Sequence, residues 1–508
     1  MRTLSATLTA GQKQSAIRGL VKIVLTLAQN SYTYTQTRIR KLTRIEEPYN
    51  QTATVILDNS DGVVTSIDFT GYKGIISWGM TTSAGDEYSA CAPLWVVSSQ
   101  LVSWQGGLAL ALSLAGIPNR LGEDKANIQF PLQSGDQSTV KDLITQILKG
   151  ILPSWAASTV YALDDLVKPL NRNGYFYKCT TAGTSAASTP TWPTTIGNTV
   201  TDNTAVWTCQ GRELTVYESC ASWTPTFDSE DSLFDSVQPQ ESFAISLNES
   251  RLSAIKRLLS WTKCYFRAEG DEAIHIRQPV ISGTTYDYEY SLASGEHTFF
   301  NKALRRRLVI PNGIRVRDNQ NTISAAAKDT GSFSVLPVWE YHVLPVTTTS
   351  QADAIAAAIL DKYQLNATGG SGKVPINLAQ EVLDYVLITD ARENDSRAGN
   401  VLYIEENFAA NTWTMEIQFG RGPGSNPMAV DIPGIEEVTE TTDERISTLA
   451  RIAAIYREIR YIRQTLAAVV SSLEYLWAAQ EGETISRLHV TNRLRIPAGT
   501  DMYDNTLS

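Results

Sequence analysis

A chain of 508 residues exceeds what one hydrophobic core organises, so three or more modules are expected. With 43% hydrophobic and 19% charged residues, a disordered tract is excluded as its main body. A formal net charge of -10 excludes general wrapping of nucleic acid, which needs clustered Lys and Arg, but is compatible with an acidic lining past which DNA slides.

The first residues, "MRTLSATLTAGQKQSAIRGL", lack the uninterrupted apolar run of a secretion signal. The following "GLVKIVLTLAQ" carries Lys22 and is too short to span a bilayer, so a soluble protein made in the cytoplasm is expected. Between 20 and 100, "VKIVLTLA", "ATVILDN" and "IISWGM" are β-rich runs separated by turn signals at 58–62 and 82–87. Helical patterning is predicted at 105–116 and 139–151, and more clearly at 250–260, where Leu252, Ile255, Leu258 and Leu259 form a stripe capped by Asn248 or Ser250. Strands are predicted at 272–279 and 301–318, then an Ala-rich helix at 350–365. A Gly-rich linker at 368–373 leads to β-like segments at 381–392 and 412–422, with a polar loop between them.

Residues 423–442 carry three prolines and an acidic stretch, and read as an exposed linker. Thr441 to Glu444 has capping-box spacing. Beyond it, Ile452, Ile455, Ile459, Ile462, Leu466, Val469, Leu473 and Leu476 alternate gaps of three and four, the seam of a coiled coil. Ile at both seam positions of the first two heptads favours a trimer or tetramer over a dimer. A single amphipathic helix packed on the body is the alternative reading. Ile446 and Leu449 fall out of phase with the seam.

Catalytic signatures are missing: the sequence has no GxSxG, HExxH or GxxxxGK[ST]. Its four histidines are dispersed, and His275 in "EAIHIRQP" alternates like a structural strand residue. Neighbouring carboxylates such as Asp164 and Asp165, or Glu46 and Glu47, would point to opposite faces of a strand. The five cysteines are scattered without a CxxC pair, which predicts reduced, buried thiols, with a Cys179–Cys209 bridge as the alternative. Neither enzymatic activity nor a cofactor or metal is expected.

Residues 153–212 form an island rich in small polar residues that nevertheless holds Trp155, Tyr161, Tyr175, Phe176, Tyr177, Trp192 and Trp207. A unit this small must draw much of its core from aromatic rings, and an exposed ring offers a platform for the C–H face of a sugar. Trp155, Tyr161 and Val167, then "NGYFYKC", "PTWP" and a tail ending "TDNTAVWTC", resemble the small chitin-binding type 3 and related carbohydrate-binding modules found in tailed-bacteriophage proteins. That resemblance implies Trp155, Tyr161 and Trp192 as the sugar face and Tyr177 and Trp207 as core. The long tail departs from simple chitin-binding modules, which puts chitin itself in doubt, and a spacer that binds no sugar is the alternative.

With the island removed, the flanks read as one continuous domain. Its stretches 60–96, 249–276 and 381–422 resemble the tail-tip or baseplate hub proteins of tailed phages. The resemblance implies a mainly β, α+β chain whose tube-like β-barrel hub domains form a homotrimer closing the tail tube in the virion. It further implies contacts with distal tail, tube, fibre or tip proteins, DNA passing through the lumen, and host cell-surface polysaccharide as the target of the islands. The expected domains are a hub body at 1–152 and 213–430, the inserted module at 153–212, a linker at 431–442, a trimeric coiled coil at 443–480 and an extension at 481–508. A polysaccharide hydrolase carrying a binding module, and a receptor-binding fibre or adhesin, are the rival readings.

Overall fold

The computed structural model describes residues 1–420 apart from 15–16, 105–106, 230, 281 and 307. The predicted linker, coiled coil (Ile452 to Leu476) and C-terminal extension lie outside the described residues. Among the described residues the chain is mostly β, and no helix is long and apolar enough to cross a membrane.

After a short helix, Ala6–Gly11, come eight strands: β1 (Gly19–Leu27), β2 (Asn30–Thr35), β3 (Ile39–Glu47), β4 (Asn50–Asp58), β5 (Lys73–Thr82), β6 (Gly85–Ala90), β7 (Leu94–Trp104) and β8 (Gly107–Gly116). The predicted runs are β1, β4 and β5, and their period-two patterns place Val21, Ile23 and Leu25, and Ala53, Val55 and Leu57, in the core. The segment predicted as a helix at 105–116 is instead β8. Its leucines Leu108, Leu110, Leu112 and Leu114 recur every second residue, and the last three stand opposite Leu57, Val55 and Ala53 of β4.

The C-terminal strands complete the same sheet. The predicted Gly-rich linker is the start of strand Thr368–Pro375, and the predicted polar loop after 392 contains the 15-residue strand Asp395–Ala409. Glycine suits Thr368–Pro375 because Gly372 lies opposite Ile417, where an added Cβ would come within 3.2 Å of the Ile388 side chain. Asp395–Ala409 is polar at its ends, which are exposed or half-buried, whereas Gly399 to Leu402 are buried in succession and Ile404 and Glu406 turn inward after a register shift between Val401 and Tyr403. This strand pairs antiparallel with β3, from Lys41 opposite Ala409 to Glu46 opposite Ile404. The resulting order is β2-β1-β5-β7-β8-β4-β3, then Asp395–Ala409, Thr412–Phe419, Thr368–Pro375 and Asn301–Arg306. One apolar core unites both ends of the body, from Ile23, Val55 and Trp78 to Val386, Ile404 and Ile417.

A further core gathers the helices Val140–Lys149, Arg251–Ser260 and Thr349–Ala367 around Phe234, Phe243 and Phe266. These three helices match the predicted segments. Ser250 caps the middle one by accepting from the Ser253 amide.

Two polar devices cross the large sheet. Arg44 is 1% exposed, and its guanidinium donates to Glu406 at 2.9 Å and to Glu46 at 2.6 Å. His297, fully buried, belongs to a relay in which Gln12 donates to the Tyr288 hydroxyl (3.0 Å), which bonds His297 Nδ1 (3.0 Å) while Nε2 faces the Pro375 carbonyl (3.2 Å). This pairing assigns the neutral tautomer protonated on Nε2. Burial, reinforced by nearby Lys13, lowers the His297 pKa to about 4 against the opposing pull of the Pro375 carbonyl.

Arg44→Met would strand two buried carboxylates and should cost about 3–5 kcal/mol in chemical denaturation at pH 7. For His297 the folded pKa lies below the unfolded one, so its contribution is full above pH 6.5 and is lost as pH falls through about 4. Acidification across that window should remove on the order of 3 kcal/mol through this group. The check is the stability difference between the wild type and His297→Gln at pH 7.5 and at pH 4.5, which should shrink at the lower pH.

Candidate binding site in the inserted module

The island leaves the body after helix Val140–Lys149 and returns beside it. The Leu214 amide donates to Gln146 on that helix at 3.0 Å, and the Trp223 amide to the Leu148 carbonyl at 2.9 Å. Between these points, strands Leu166–Val167, Tyr175–Thr181, Ala205–Arg212 and Thr199–Asp202 form a small antiparallel sheet, and Val160–Tyr161 pairs with Gly183–Thr184. Asn203, at φ 56°, turns the Thr199–Asp202 strand back onto Ala205–Arg212.

The core of this sheet is Trp155, Tyr161, Val167, Tyr177, Cys179, Ala205, Trp207 and Cys209. At its centre is the carboxylate of Asp202, 1% exposed, which lies in the "TDNTAVWTC" tail but is given no role by the sequence. One of its oxygens accepts from the indole of Trp155 at 2.7 Å and from that of Trp207 at 3.0 Å, and the other from the Ala186 amide at 2.8 Å. A buried indole N–H needs a partner, and one carboxylate serves both. Tyr161 stands edge-on to Trp207 with ring centroids 4.8 Å apart, and its hydroxyl accepts from the Ala156 amide at 2.7 Å.

Of the three rings assigned to the sugar face, Trp155 (3% exposed) and Tyr161 (8%) are therefore core residues, because their polar tips are used inside the module. Trp192 is half-buried. It packs against Tyr177 at 4.4 Å and Trp207 at 6.0 Å between ring centroids, while its indole N–H donates to the exposed Thr189 hydroxyl at 3.2 Å. Tyr177 and Trp207 are core, as the resemblance implied. Tyr177 donates to the Pro193 carbonyl at 2.7 Å, which anchors the "PTWP" loop carrying Trp192, and burial pushes its pKa up to about 12.

Cys179 and Cys209 face Trp207 and Tyr177 across the ladder rather than each other, and none of the five cysteines is in a disulfide. Burial raises both pKa values, that of Cys209 to about 11, so these thiols stay protonated and unreactive. Only Cys220 is half-buried rather than fully enclosed.

The module is docked rather than tethered. Lys178, on its central strand, bridges Asp142 of the body helix and Asp164 of the module, each at 3.2 Å. Asp142 also closes the capping box of that helix with Thr139. Arg172 reaches Glu218 at 2.9 Å and Glu213 at 3.4 Å, and the Gln137 amide donates to the Gln210 carbonyl at 2.9 Å.

No protein-family model matches the chain, and no curated protein sequence does. Solved structures that the chain resembles include the tail protein from Neisseria meningitidis MC58 (8% identity, 79% of this chain and 96% of that one, TM-score 0.46). They also include the 43 kDa tail protein of prophage MuSo2 from Shewanella oneidensis (10% identity, 79% and 98%, TM-score 0.46). Prophage tail protein gp18 from Listeria monocytogenes EGD-e is a third (9% identity, 80% and 95%, TM-score 0.43).

Asp202→Ala should leave two indole N–H groups unsatisfied, at about 1–3 kcal/mol each. The module should then melt before the body, seen as an early tryptophan-fluorescence transition absent from the wild type. Asp202→Asn, which keeps an acceptor, should lose less.

Proposed function

We propose that this chain is a structural virion protein: a homotrimeric hub at the distal end of a phage tail that continues the tail tube and displays a carbohydrate-binding module from each subunit. The observation that carries the reading is the β3 pairing with Asp395–Ala409, which makes one sheet of strands from both ends of the body. Such a sheet is a wall that can be shared around a lumen, while the module's root lies on the helical layer, where helix Val140–Lys149 belongs to the helical core. The net charge of -10 suits a lumen that DNA crosses without binding. The eight heptad positions from Ile452 to Leu476 would hold the three chains together along the axis, in a coiled coil of roughly 35–40 Å at ~1.5 Å per residue. The segment 486–508 would cap it or join a fibre. Distal tail, tube and tip proteins are the remaining partners.

In this reading Trp192 carries the sugar contact, and Trp155 and Tyr161 support it from behind through Asp202 and Trp207. Weak binding by each module is strengthened by display of three copies, and docking fixes the spacing between the sites. A polysaccharide of the host cell surface is the ligand class that fits an aromatic platform.

Native mass and negative-stain images should give a particle of three chains with a central hole; a monomer or an extended rod would overturn the hub. Trp192→Ala should reduce retention on host envelope polysaccharide several-fold with the trimer intact, and deletion of 153–212 should abolish it. Retention unchanged in both would leave a hub whose module binds no sugar.

A further inference from the structure

Three carboxylates that the proposed function does not use converge on one imidazole. Strands Pro225–Ser229 and Ile274–Arg277 run parallel with Thr226 opposite His275 and Phe227 opposite Ile276, after which the register shifts and Ser229 faces Arg277. The extra residue is Asp228, and such a bulge re-aims a side chain. Asp228 Oδ2 lies 2.6 Å from His275 Nδ1. On the other side, the turn joining Tyr265–Ala268 to the histidine strand brings Asp271 Oδ2 to 3.0 Å and Glu269 Oε2 to 3.7 Å from His275 Nε2. The other oxygen of Glu269 is held by Arg267 at 2.6 Å, so Oε2 is fixed toward the ring. Asp228, Glu269 and His275 each offer a ligating atom within 4.8 Å of the others.

We propose that this cluster is a divalent-cation site for a first-row transition metal of the Zn²⁺ class, ligated by His275 Nε2, Asp271 and Glu269. Asp228 accepts the Nδ1 proton and sets the tautomer and orientation of the ring, as carboxylates do behind metal-bound histidines. With metal–ligand lengths of about 2.1 Å, nitrogen–oxygen separations of 3.0 and 3.7 Å subtend roughly 90° and 120° at a single ion, within the range of such centres. An imidazole donor selects Zn²⁺, Co²⁺ or Ni²⁺ over the oxygen-seeking Ca²⁺ and Mg²⁺. A hydrogen-bonded imidazolium would be satisfied by one carboxylate per nitrogen. Here Nε2 faces two, and Arg267 offsets Glu269 only in part because it is shared with Glu381 and Asp384, so negative charge is left that a dication balances. Asp271 also lines a cleft of about 410 Å³ with Thr226 and Glu272, which gives the ion a way in and room for water to complete its shell. Bound there, the ion would brace the turn of the Tyr265–Arg277 hairpin, with the bulged strand joined to it only through the Asp228 bond to the imidazole.

Chelator-stripped full-length protein titrated with Co²⁺ tests this, since cobalt reports its ligands in its visible spectrum. The expected result is one equivalent per chain at micromolar concentration, with visible d–d bands and no thiolate charge-transfer band. Asp271→Asn, at a solvent-exposed position, should weaken binding about ten- to hundredfold, and His275→Gln should abolish it. No binding at micromolar Co²⁺, a thiolate band, or affinity unchanged in Asp271→Asn would each overturn the site. Asp271→Asn decides the question alone if His275→Gln does not fold.

Discussion

The pairing of β3 with strand Asp395–Ala409 is the constraint on which the rest of the body depends. It joins residues more than three hundred positions apart, so the helical layer and the module are both excursions between two strands that must find each other. Closing so long a loop costs entropy that the sheet recovers only when the seam forms and the common core can pack. Arg44 sits at this seam between Glu46 of its own strand and Glu406 of the partner strand. Buried ions are tolerated there because each is paired. A shift of one residue would turn Arg44 away from Glu406 and expose the apolar face, so the charges help to define the register as well as hold it.

The inserted module follows a different rule. It is too small for an aliphatic core, so it builds one from indoles and phenols, whose polar tips then need partners inside. Asp202 supplies two of them, and the position of Trp155 follows from that demand more than from any ligand. Trp192 is only half-buried, and its loop is held by the Tyr177 hydroxyl through the Pro193 carbonyl. Lys178 then fixes the module to the capped end of a body helix, which makes its placement a property of the whole domain.

Much of this is legible in residue patterns. The alternation in β1, β4 and β5 and the leucine stripe of Arg251–Ser260 identify themselves, because their periods of two and of roughly 3.6 are distinct. The island is visible by composition alone. The segment 105–116 reads as a helix because Ala and Leu favour helices, whereas β7 and β4 on either side of Gly107–Gly116 supply ladder partners that override that preference. Thr368–Pro375 and Asp395–Ala409 read as linker and loop because the glycines of the first and the charges at the start of the second mask strands whose later residues are buried.

The sequence by itself determined the periodic elements, the compositional boundary of the island and the heptad seam, all of which are local properties. Only the tertiary structure decided which aromatic rings face inward, that Asp202 binds two indoles, and that Asp228, Glu269 and Asp271 surround His275. Those facts depend on a strand pairing, a bulge and a turn that bring distant residues within hydrogen-bond reach. No spacing along the chain encodes that reach, because it exists only after the backbone has closed.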